Sequence, residues 1–212
     1  MGAPRDDGTV PVPGLLLGPD ELRATVGRLG AELSADHGEG SVSHVNGPVS
    51  HGDGTVMVAV LKGGAPFLAD LVRAVTFHPV VDFLAVSPYP SGGGRVRLVK
   101  DLETDIEGRD VILVEDVVDT GLSLTYLRGE LMRRGPTSLT VCAMVDKPGR
   151  RLVPVAVDHV GVSTQADYVI GYGLDFAGRY RNLDLLAVAD PRVLAADPDR
   201  YVEWAYSRHR GR

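Results

Sequence analysis

With 212 residues, 44% of them hydrophobic, and a formal charge of −6, the chain has the size and composition of one globular domain, or of one with a small appended lobe. The acidic balance speaks against a broad nucleic-acid surface while permitting a local basic pocket, and no apolar run approaches the ~20 residues that cross a bilayer. A lone cysteine, Cys142, excludes an intramolecular disulfide and leaves no cysteine set for zinc.

Residues 1–14 are rich in Gly, Pro and Asp and read as a mobile tail. They contain no apolar signal core, so a cytoplasmic location is expected. Gly18, Pro19, Asp20 and Glu21 open a helix in which Leu22, Val26, Leu29 and Leu33 recur at helical spacing, ending near His37 and Gly38. Residues 38–55 mix Gly, Ser, His and Val without a period and read as a long loop or loose hairpin. His37, His44 and His51 fall seven apart, but without a helical pattern or acidic neighbours they read as solvated histidines rather than metal ligands.

An apolar run at 56–61 predicts a buried strand, followed by Lys62, Gly63 and Gly64 and a helix over 65–75 with Phe67, Leu68, Leu71 and Val75 inward. Strand, Lys-Gly-Gly and helix make an anion-binding turn in kind, although alone it reads as a glycine turn with a surface lysine. Strands are predicted over 80–86 and 95–100. Between them Ser87, Pro88, Tyr89 and Pro90 lead into a Ser-Gly-Gly-Gly tip, a candidate active-site lid stiffened by its prolines.

The chain is organised around residues 111–123, which read Val-Ile-Leu-Val-Glu-Asp-Val-Val-Asp-Thr-Gly-Leu-Ser. The run 111–114 predicts a strand buried on both faces. Glu115 and Asp116 follow it, then Asp119, Thr120, Gly121, Leu122 and Ser123, then a helical pattern over 124–134. Acidic pair, polar loop and helix start thus crowd the carboxyl end of one strand, where open α/β sheets bind ligands. A glycine, two hydroxyls and the N–H groups of a helix N-terminus are the parts of a phosphate cradle. Carboxylates just ahead of such a cradle suit a ligand with both hydroxyls and a phosphate, such as a ribose 5-phosphate.

Arg134, Gly135 and Pro136 stop the helix, and further strands are predicted over 139–145, within 153–162 and over 185–189. A terminal helix is expected over 198–208. The alternation predicts an α/β fold: a mostly parallel twisted sheet with helices on both faces, one domain over residues 15–212. The N-terminal helix and the part after about 150 are expected to form a small hood over the sheet's carboxyl edge.

The string 111–123 resembles the phosphoribosyl-pyrophosphate signature of type I phosphoribosyltransferases, and is most similar to that of the hypoxanthine-guanine (6-oxopurine) enzymes. The resemblance runs from Leu61 to about Asn182, and the family's Lys, aromatic, Asp and Arg positions fall on Lys147, Tyr168, Asp175 and Arg181 without a gap. It implies transfer of a 5-phosphoribosyl group from phosphoribosyl pyrophosphate to N9 of a purine base, with Mg2+ on the pyrophosphate and ribose hydroxyls. By the same resemblance Glu115 and Asp116 meet the ribose and lie near the metal, with Asp175. Asp119 is the general base toward N7, and residues Asp119 to Ser123 bind the 5-phosphate. Leu61, Lys62 and Gly63, with a strained peptide bond between the first two, bind pyrophosphate together with Arg181. Lys147, Tyr168 and the Val169 carbonyl bind the base, and Ser87 and Tyr89 begin the lid. A homo-oligomer, dimer or tetramer, is implied as well.

Two departures stand out: the 38–55 segment is long, and the lid is short, with Pro88 ahead of Tyr89. They motivate a variant reading, transfer to a modified base such as a 7-deazaguanine, against which the presence of Asp119 weighs. A ligand-sensing nucleic-acid-binding regulator on the same fold is a reading of another class, opposed by the acidic balance. No G-x-x-x-x-G-K-[ST] loop of a nucleotide kinase is present.

Overall fold

The structure, a computed structural model, describes residues 12–38, 54–88 and 96–207. The tail up to residue 11, most of the 38–55 segment with His44 and His51, and Tyr89 with the rest of the lid tip lie outside the described residues.

Six strands form the main sheet: β2 (Val56–Leu61), β3 (Val80–Pro88), β4 (Val96–Lys100), β5 (Asp110–Val118), β6 (Ser138–Asp146) and β7 (His159–Ser163). Their order is β4-β3-β2-β5-β6-β7, with β4 antiparallel to β3 and every other pairing parallel. Side chains alternate between the faces, as strand geometry requires. Met57, Ala59, Ile112 and Val114 join one core, while Val56, Val58, Val111 and Leu113 join the other. Being buried on both faces is why these strands read as unbroken apolar runs.

Helices α1 (Pro19–His37) and α2 (Gly64–Ala74) cover the first face, and α3 (Leu122–Met132) covers the second through Leu124, Leu127 and Leu131. α1, expected in the hood, lies on the first face of the sheet and also reaches β1 (Gly14–Leu17). Leu22, Val26, Leu29 and Leu33 form one apolar stripe, which shares a core with α2, with the large sheet and with Leu17, Val169 and Leu186. The approach is close: a Cβ on Gly30 would lie 2.6 Å from that of Ala74.

The lobe beyond the sheet is instead a three-stranded antiparallel sheet in the order β1-β9-β8, formed by β1 (Gly14–Leu17), β8 (Tyr168–Ile170) and β9 (Leu186–Ala189). Gly14, assigned to the tail from sequence, therefore begins a strand. This lobe has its own core of Ile170, Tyr180, Leu183, Leu185, Leu194 and Tyr201. The expected terminal helix is two short ones, α4 (Pro191–Ala196) and α5 (Val202–Ser207), parted where Asp197 caps the first. Of the outer stretch 153–162, only the part in β7 is a strand. No helix among the described residues is long and apolar enough to cross a membrane.

Candidate active site

β5 continues through Glu115 and Asp116 to Val118, four residues beyond the strand predicted from the apolar run. Its pairing with β2 stops at Val114, whereas its pairing with β6 goes on to Val118. The two carboxylates therefore stand where the ladder to β2 has parted while the one to β6 still supports the backbone. Glu115 is 6% exposed, and burial together with the charge of Asp116 pushes its carboxyl well above the ordinary range. Burial raises Asp116 as well, to about 6, against the pull of the Val117 N–H and of Arg181.

Asp119 and Thr120 form the turn, and Gly121 takes the left-handed conformation (φ 83°) as N-cap of α3. A side chain there would also be crowded, since a Cβ would lie 2.9 Å from the Val153 carbonyl oxygen. The helix starts at Leu122, two residues earlier than the pattern indicated, so the N–H groups of Leu122 and Ser123 belong to its first turn. Glu115, Asp116, Asp119, Thr120, Gly121 and Ser123 line one cleft of about 220 Å³.

On the opposite side, the register Val118↔Asp146 brings Lys147 alongside Asp119. The Lys147 N–H donates to the Val118 carbonyl at 3.0 Å. Its ammonium donates to the Asp167 carbonyl at 3.1 Å and lies 3.6 Å from Asp119 Oδ2. Lys147 is 4% exposed, and burial lowers it below the ordinary lysine range although Asp119 opposes the shift. Next to Asp167, the half-buried Tyr168 ring meets Phe176 edge-on at 5.7 Å, and its hydroxyl donates to the Asp175 carbonyl at 2.7 Å. Val169 is buried in β8.

The Lys62-Gly63 turn closes the other end, with Lys62 exposed and the Leu61–Lys62 peptide cis. A Cβ on Gly63 would run into the Asp116 carboxylate, and one on Gly173 (φ 98°) into the Gly63 carbonyl. The lobe is thus seated directly on this turn. Arg181 joins them, donating to the Gly173 carbonyl and pairing with Asp175 at 2.6 Å. Ser87 lies in β3 opposite Arg97, at the base of the lid.

Two residues that the motifs did not single out are built into this site. Arg151 donates to the carbonyls of Val118 (2.7 Å), Asp119 and Lys147 and pairs with the Asp146 carboxylate, lacing the loop that follows β5 to the end of β6. The Thr120 carbonyl accepts from Leu152 N–H at 2.9 Å in the same seam. Arg150 reaches Asp119 and Asp167. Two adjacent arginines after Lys-Pro-Gly were the available signal, but on a polar turn they read as surface charge.

As to a divalent cation, no group of three or more His, Cys, Asp or Glu side chains among the described residues is arranged to hold one. Asp175 is occupied by Arg181 and the Gly178 N–H. Glu115 and Asp116 supply hard carboxylate oxygens of the kind Mg2+ takes when substrate phosphates and water complete its shell. The residues fit a cation held mainly through a substrate.

A family model described as the phosphoribosyl transferase domain matches residues 32–177. A hypoxanthine-guanine phosphoribosyltransferase of Mycobacterium tuberculosis is 40% identical over 182 residues, covering 84% of this chain and 87% of its own. That of Bacillus subtilis is 36% identical, covering 84% and 94%. Among solved structures, a hypoxanthine phosphoribosyltransferase from Trypanosoma cruzi in complex with the product IMP is similar at a TM-score of 0.77 and 33% identity, over 91% of this chain and 98% of that one.

Proposed function

Because this chain belongs to the phosphoribosyltransferase family, we propose that its cleft performs the reaction of its hypoxanthine-guanine relatives. Phosphoribosyl pyrophosphate gives its 5-phosphoribosyl group to N9 of a 6-oxopurine, forming the nucleoside monophosphate and pyrophosphate. The observation that carries this reading is the pair Lys147 and Asp119, held 3.6 Å apart beside the phosphate loop. A buried ammonium next to a carboxylate matches the adjacent O6 acceptor and N7–H donor of a 6-oxopurine, and no such match exists for adenine.

In this reading the N–H groups and hydroxyls of residues 120–123 hold the 5-phosphate, and Glu115 and Asp116 accept from the ribose hydroxyls. The C1–pyrophosphate bond breaks as N9 bonds to C1, and the N7 proton passes to Asp119. The transition state resembles an oxocarbenium ion, so the protein's share is orientation, charge stabilisation and exclusion of water. Tyr168 and the Val169 carbonyl face the base, while Lys62, the Gly63 backbone and Arg181 hold the pyrophosphate. When bound, Mg2+ neutralises charge on the leaving group, with Glu115, Asp116 and Asp175 toward it or its waters. Ser87 and Tyr89 begin a lid over the reacting centre. A cytoplasmic homo-oligomer is part of the same proposal.

The test is a panel of hypoxanthine, guanine, xanthine, adenine and 7-deazaguanine with phosphoribosyl pyrophosphate and Mg2+, followed for nucleotide. Hypoxanthine and guanine are expected to react and adenine not. Preferential use of 7-deazaguanine, or of no base, would overturn the assignment.

A further inference from the structure

Arg150 closes the short 3-10 turn Pro148–Arg150 that follows Lys147, and its N–H donates to the Lys147 carbonyl at 3.0 Å. Its guanidinium lies between two carboxylates: Nε–H donates to Asp119 Oδ1 at 2.8 Å and Nη1–H to Asp167 Oδ1 at 2.9 Å. Asp119 is therefore held from one side by Oδ1, which leaves Oδ2 as the oxygen that faces the Lys147 ammonium. Asp167 anchors both halves of this arrangement. Its carboxylate takes Arg150, and its carbonyl takes Lys147 at 3.1 Å.

We propose that Arg150, braced by Asp167, is a positioning residue for the transfer: it pins Oδ1 of Asp119 so that Oδ2 and Lys147 together present an acceptor and a donor to the N7–O6 edge of the base. The inference rests on the purine-transfer reading above and extends it to two residues outside the family motifs. The physical reason is rotational freedom. A carboxylate on a turn, one-third exposed, rotates about its side-chain torsions, whereas one tied by a planar guanidinium keeps a single face toward its neighbour. Asp167 restricts Arg150 in the same way, so the chain Asp167–Arg150–Asp119 fixes the direction in which the proton is taken.

The experiment compares two inhibitors of the intact enzyme. 9-Deazahypoxanthine carries an N7–H donor, and 7-deazahypoxanthine has carbon at that position. In Arg150→Met the first is expected to bind about tenfold more weakly, the loss of one aligned charge-assisted hydrogen bond, while the second changes by less than about twofold. Arg150→Lys should recover part of the loss. Asp167→Asn, which keeps the carbonyl for Lys147, should weaken 9-deazahypoxanthine in the wild-type background and add nothing in Arg150→Met. Equal weakening of both inhibitors, or of neither, overturns the inference, as does an additive effect of Asp167→Asn. These outcomes are separate from failure of the underlying reading, in which the wild-type chain forms no nucleotide from hypoxanthine and the inference falls with it.

Discussion

Gly63 packs against the carboxylate of Asp116 so closely that a single methyl group on the glycine would collide with it. The Lys-Gly-Gly turn and the acidic pair, more than fifty residues apart in sequence, are thereby one surface, because β2 and β5 are parallel neighbours that end at nearly the same height. Gly63→Ala is expected to raise the KM for phosphoribosyl pyrophosphate by about tenfold or more, since the collision of about a methyl's size must be relieved by moving either the turn or the carboxylate. Steady-state kinetics with varied phosphoribosyl pyrophosphate check this, and an unchanged KM would separate the turn from that substrate.

Asp119→Asn keeps the shape of the turn and removes the acceptor of a proton. Turnover is expected to fall ~10²–10⁴-fold, with little change in phosphoribosyl pyrophosphate binding. An unchanged kcat would remove Asp119 from the mechanism.

The acidic pair carries a stability signature. Asp116 sits at about 6 against an ordinary 3.8, so the folded chain binds this proton more tightly than the unfolded chain does. The associated stability is full below the ordinary value and is lost as pH rises through about 6. Asp116→Asn should therefore stabilise the protein at pH ~7.5 in the presence of a chelator by on the order of 1–3 kcal/mol, with the gain vanishing towards pH ~4. Glu115→Gln shifts in the same direction. Denaturant titrations at the two pH values read the difference, and both variants should lose transferase activity.

Arg151 holds three carbonyls and a carboxylate around the loop between β5 and α3, and its side chain is 15% exposed. Arg151→Met is expected to cost about 2–4 kcal/mol of stability, because it strands the buried Asp146 charge. Arg151→Lys should restore only part of that, lacking the planar fork. Thermal denaturation with and without phosphoribosyl pyrophosphate measures both effects.

What the sequence made legible follows the strength of its periodicities. The strands β2, β5 and β6 are buried on both faces, so their runs of Val, Ile, Leu and Met marked them within a few residues. The four-residue β1 and three-residue β8 carry no such run, and their pairing with β9 is set by the lobe's own packing. The break between α4 and α5 is likewise tertiary: the Tyr180 hydroxyl donates to the Pro198 carbonyl at 2.6 Å and accepts from the Tyr201 N–H at 3.3 Å. In the site, Asp119 and Lys147 were legible from their motif. Arg150 and Arg151 were not, because their partners Val118 and Asp119 are about thirty residues away and are brought near only by the β5–β6 register. The stripe on α1 shows that the helix has an apolar face but not which layers cover it, and it packs with α2, the large sheet and residues of the lobe.

The most direct test of the proposed site is a crystal structure of the chain with inosine monophosphate. The 5-phosphate is predicted to lie within hydrogen-bonding distance of the N–H groups of residues 120–123, with O6 on the Lys147 ammonium, N7 toward Asp119 and the ring against Tyr168. A nucleotide bound elsewhere, or one whose base turns away from Lys147, would contradict the account.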